Sequence, residues 1–112
     1  MQIQINTDNH IEGRDSLATW ATAEVTQALS HHADQITRVE VHLAEENGDK
    51  NGKHDKRCVL EARLQGRPPV AVTEHAENLR QAVSGAAAKL NRVIESTLGR
   101  AARPAPVPAA QE

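Results

Sequence analysis

The sequence contains no phenylalanine, no tyrosine, one tryptophan and one cysteine in 112 residues. A chain without exposed rings has no platform on which to stack unpaired bases, so single-strand recognition by stacking is excluded. Any nucleic-acid contact must then run through phosphates and shape. The tryptophan, Trp20, falls on the apolar stripe of a helical segment, where packing is its expected role. A lone cysteine cannot close an internal disulfide. Cys58 alternates onto the apolar side of a strand and reads as a small core residue in a reducing compartment. No apolar run approaches the length of a membrane span, and "MQIQINTDNH" lacks the basic start and apolar stretch of a secretory signal. A soluble, cytoplasmic protein with one modest core is expected.

Site chemistry is equally sparse. His31 and His32 are adjacent, and neighbouring helical side chains point about 100° apart, which is poor geometry for one metal ion. Asp15 and Ser16 have no histidine partner that the sequence can place, and there is no glycine-rich phosphate loop. The expectation is a protein that is not an enzyme, with no catalytic residues, no metal, no cofactor, no small-molecule substrate and no membrane partner.

What is present is a lopsided charge. Residues 1–49 carry two basic side chains against nine acidic ones, a balance of −7, whereas residues 50–112 carry eleven against six, a balance of +5. The two halves together make the net −2. Such asymmetry hints at a surface that faces a polyanion.

The periodicities define the elements. "MQIQIN" alternates, with Ile3 and Ile5 on one side, and reads as a short strand. "TDNHIEGR" is a loop, after which Asp15 or Ser16 can cap a helix whose apolar stripe is Leu17, Trp20, Ala21, Val25, Ala28 and Leu29. That helix is expected to end near His31 and His32. "ITRVEVHLAEE" and "KRCVLEARLQ" alternate again. Gly48 and Gly52 mark a mobile connection between them, "GRPP" makes a turn, and "VAVT" is a short last strand. Asn78 and Gln81 form a capping pair for a second helix, which should stop near Gly99. The closing "RAARPAPVPAAQE" reads as a disordered tail over 100–112, beyond a domain spanning 1–99.

The order β-α-β-β-β-α defines an α+β fold. Strand, helix, strand places the first two strands parallel, and the following strands pair antiparallel. One apolar face per element puts both helices on the same face of a four-stranded sheet, with Trp20, Leu60, Leu79, Val83 and Leu90 in the core. The other sheet face then carries Arg38, Glu40, His42, Glu61, Arg63 and Gln65. The second helix offers Arg80, Lys89, Arg92 and Arg100. Lys89 and Arg92 are neighbours on one helical surface, suited to phosphate contacts.

The strand order, "DKRCVLEARLQGRPPVAV" and above all "ENLRQAVSGAAAKLNRVIESTLGR" resemble the ribosome hibernation-promoting factors. These ribosome-associated translation inhibitors are also called sigma-54 modulation proteins, and the resemblance is to their short form. It covers roughly residues 1–99 and implies a fold similar to a double-stranded-RNA-binding domain with one extra strand. It also implies binding to the small ribosomal subunit, in the channel used by messenger and transfer RNA, to keep idle ribosomes inactive in stress or stationary phase. The family's helix-two pattern of lysine, apolar residue, any residue and arginine stands here as Lys89, Leu90, Asn91 and Arg92. It marks Lys89 and Arg92 for contact with ribosomal RNA, with Arg80 and Arg100 in the same helix. Lys56, Arg57, Arg63 and Arg67 join them as candidates from charge and position. The first helix departs from the pattern: from Ser16 to Ala33 it has no Lys or Arg and only Glu24 as a charged helical residue before Asp34. Two functions stay open. One is a ribosome-binding inhibitor of translation. The other is a stress-related protein-interaction module of the same fold that binds no RNA.

Overall fold

The computed structural model describes residues 1–7, 13–45 and 56–102. Its elements are β1 (Gln2–Thr7), α1 (Arg14–Ala28), a 3-10 segment (Ser30–Gln35), β2 (Ile36–Glu45), β3 (Lys56–Leu64), β4 (Val70–Ala76) and α2 (Leu79–Ala102). The strands lie in the order β1-β2-β3-β4. β1 runs parallel to β2, and the other two pairs are antiparallel. The parallel pair requires a crossover, which α1 supplies.

Period-two patterning sets the register. Ile5 pairs with Val41, Val41 with Leu60 and Leu60 with Val72, giving one apolar row across all four strands. A slip of one residue would turn each of these side chains to water. Val39, Val41, Leu60 and Ala62 are fully buried beneath the helices, as are Ala21, Val25 and Leu29 before β2 and Val83, Leu90 and Ile94 of α2. Of the expected core, Leu60, Val83 and Leu90 are buried, whereas Trp20 and Leu79 are half-buried at its margin.

Four boundaries differ from the sequence expectations. The N-cap of α1 is Gly13, in the left-handed region at φ 68°, with no side-chain cap. Asp15 and Ser16 therefore lie inside the first turn. The α-helix ends at Ala28, short of His31 and His32, which sit in the 3-10 segment. Leu29 is buried at that junction, and the tighter winding carries the chain back towards β2. β4 runs three residues past Thr73, because Glu74 and Ala76 continue the inward alternation and pair with Cys58 and Lys56. Helix α2 passes through Gly99 to Ala102, since the φ of Gly99 is not positive and nothing there turns the chain. The expected cap at Asn78 is present, its Oδ1 accepting the Gln81 N–H at 2.8 Å. The expected Gly48–Gly52 connection and the tail beyond 102 lie outside the described residues.

Candidate nucleic-acid interface

The basic side chains divide among separate surfaces because the sheet stands between them. On β3, Cys58, Leu60, Ala62 and Leu64 are buried under the helices, so Arg57 and Arg63 point to the uncovered face. There Arg63 lies opposite Arg38 and Glu61 opposite Glu40, setting like charges side by side across the two strands. Pairing along and beside β2 offsets this. Arg38 reaches Glu40 at 3.1 Å and donates to the Gln4 side chain, while His42 Nε2 stands 3.4 Å from Glu40. Lys56 has inward parity at the end of β3, in register with Glu45 and Ala76. Arg67 is exposed in the β3–β4 turn, where its N–H bonds the Leu64 carbonyl.

Helix α2 carries two groups on different sides. Lys89 and Arg92, one turn apart, flank a shallow notch of about 260 Å³ with Val93, Ser96 and Thr97. Lys89 Nζ lies 2.8 Å from Glu74 Oε1 and donates to the Thr73 carbonyl at 2.8 Å, which places this edge of α2 against β4. Arg80 stands nine residues before Lys89, about two and a half turns away and hence on the other side of the helix. Its guanidinium lies 4.7 Å from the centroid of the Trp20 ring, facing α1. A cation over an indole face is attracted by the ring quadrupole, so Trp20 holds Arg80 towards α1. Arg100 lies in the last turns of α2, with its side chain outside the described residues.

The α1 surface adds no cation between Ser16 and Ala33. Glu24 is turned inward to α2, where it accepts a hydrogen bond from Ser84 Oγ at 2.9 Å. The structure thus brings Lys89 and Arg92 together. Arg80 stands apart from them, and Arg57 and Arg63 lie across the sheet. Among the described residues, no unbroken cationic surface joins β3 to α2.

Residues 3–101 match the profile of the family described as sigma 54 modulation protein / S30EA ribosomal protein. The chain belongs to that family. Two solved structures share the fold. A ribosomal subunit interface protein from Coxiella burnetii superposes with a TM-score of 0.71 at 13% identity, over 88% of this chain and 99% of that one. The Thermus thermophilus Protein Y N-terminal domain superposes with a TM-score of 0.69 at 21% identity, over 87% of this chain and 99% of its own. No curated protein matches the sequence. Membership accounts for the β-α-β-β-β-α order, and the family is by its description a ribosome-associated one.

Sequence reasoning missed Glu74 and Gly85, and it placed Arg38 on the open sheet face without its cross-strand neighbour. Glu74 ended the expected strand because a charge at an inward position breaks the apolar pattern. Its place becomes legible only when α2 is laid over β4. The position of Arg38 beside Arg63 follows from the strand register, which two alternating patterns alone leave open.

Proposed function

We propose that this chain binds the small ribosomal subunit through the phosphate backbone of its RNA and keeps idle ribosomes from translating under stress, in the cytoplasm. The observation that carries this reading is the family match over residues 3–101, which includes the α2 stripe bearing Lys89 and Arg92. These two cations on one rigid helical edge suit collective, sequence-independent attraction to a phosphate backbone. Occupation of the channel for messenger and transfer RNA supplies the inhibition, with no covalent chemistry.

Co-sedimentation with purified small subunits over a range of salt concentrations tests the reading. Wild-type protein should travel with the subunits at low salt and detach steeply as salt rises. Changing both Lys89 and Arg92 to Ala should weaken binding and reduce the salt slope by roughly two, about one per cation removed. Failure of the wild type to bind at low salt would sink the proposal.

A second reading is favoured by the absence of cations on α1 from Ser16 to Ala33 and by the ion-paired open sheet face. In it the fold serves as a protein-interaction module without RNA. Subunit binding that is insensitive to salt would speak for this alternative.

A further inference from the structure

Glu74 occupies an inward position of β4, between the buried Val72 and Ala76 and beside the buried Cys58 on β3. A carboxylate on the core side of a sheet is costly unless it has both room and a partner. The room comes from Gly85 of α2. A Cβ at that position would lie 2.8 Å from Glu74 Oε2 and 2.9 Å from its Cδ and Cγ, so the side chain rests directly on the helix backbone. The partner is Lys89, one turn further along α2, at 2.8 Å. Lys89 spends a second donor on the Thr73 carbonyl, so the edge of β4 engages two of its three N–H groups.

Lys89 is also a residue through which the proposed function has the chain meet RNA. A carboxylate oxygen and a non-bridging phosphate oxygen compete for the same ammonium donors. We propose that Glu74, seated on Gly85, is a built-in competitor for the RNA phosphate at Lys89, so that docking exchanges a carboxylate for a phosphodiester and affinity is set below what the cations alone would give. This inference rests on the small-subunit reading for its biological target, though not for its chemistry. The pair is partly exposed, with 44% of the Lys89 and 30% of the Glu74 side chain accessible, so phosphate can reach the ammonium without unfolding the site.

Two substitutions separate the seat from the charge. Glu74→Gln keeps the shape and removes the competitor's charge, whereas Gly85→Ala keeps every charge and evicts the carboxylate from its seat. Alanine suits a helix interior better than glycine does, which offsets the cost of displacing the Glu74 side chain. Each variant is titrated against purified small subunits at fixed salt, with and without Lys89→Ala, and is also eluted from immobilised heparin as a sulfated polyanion. Glu74→Gln should bind subunits roughly two- to fivefold more tightly, the scale of a partly exposed ion pair, and Gly85→Ala should move in the same direction. In the Lys89→Ala background the gain from Glu74→Gln should disappear.

A Glu74→Gln variant that binds no better than wild type would overturn the inference. So would an equal gain without Lys89, or a gain from Glu74→Gln with none from Gly85→Ala, since either would mean only a change in net charge. Later heparin elution of Glu74→Gln that depends on Lys89, together with wild-type protein that ignores small subunits at low salt, would refute the ribosomal target and uphold the competition.

Discussion

Cys58 makes the stability of the protein depend on alkaline pH in a way that can be isolated. Burial and, second, the Glu74 carboxylate on the neighbouring strand push its thiol up to about 12 from an ordinary 9.0. The folded state therefore holds the proton more tightly than the unfolded state, and the associated stability is fully present below about pH 9. It is lost as pH rises towards 12, because the unfolded chain releases the proton first. At pH 8 the loss is negligible. Linkage through those two values costs about 1 kcal/mol at pH 10 and about 3 kcal/mol at pH 11.

Replacing Cys58 with Ala removes this dependence and leaves a small cavity worth about 1 to 2 kcal/mol. The wild type should thus be the more stable protein at pH 8 and the less stable one by pH 11, with the curves crossing near pH 10. Urea titrations of both proteins in a non-thiol reductant measure the difference, and other groups that titrate in this range cancel in the comparison. Parallel pH profiles for wild type and Cys58→Ala would refute the placement of the thiol beside Glu74 in a dry core.

Two further substitutions probe the frame that holds the site. Leu90 of α2 is fully buried in the core, and Leu90→Ala should cost about 2 to 5 kcal/mol in chemical denaturation, a loss that solvent exposure of this residue would make impossible. Asn78→Ala removes the acceptor for the Gln81 N–H and should lower stability by about 1 kcal/mol, measurable as a reduced denaturation midpoint at unchanged m-value.

The sequence by itself determined the element order, the parallel start of the sheet and the buried faces. Alternation at Val39, Val41, Leu60 and Ala62 and helical spacing at Val83, Leu90 and Ile94 leave one way to bury these side chains together. It also marked Lys89 and Arg92 as neighbours, because three residues on a helix is a local distance. Helix ends were less legible. Gly13 caps α1 by its left-handed backbone and Gly99 lies within α2, and a glycine codon signals neither outcome. Only the tertiary structure decided which cations share a surface. Arg57 and Arg63 are separated from α2 by the sheet, Arg80 is held by Trp20 on the far side of the helix, and Lys89 is engaged by a carboxylate fifteen residues earlier in the chain. Periodicity reports the direction a side chain takes from its own element. The partner it meets depends on how a second element is laid across the first, and for Lys89 that is settled by the space Gly85 leaves for Glu74.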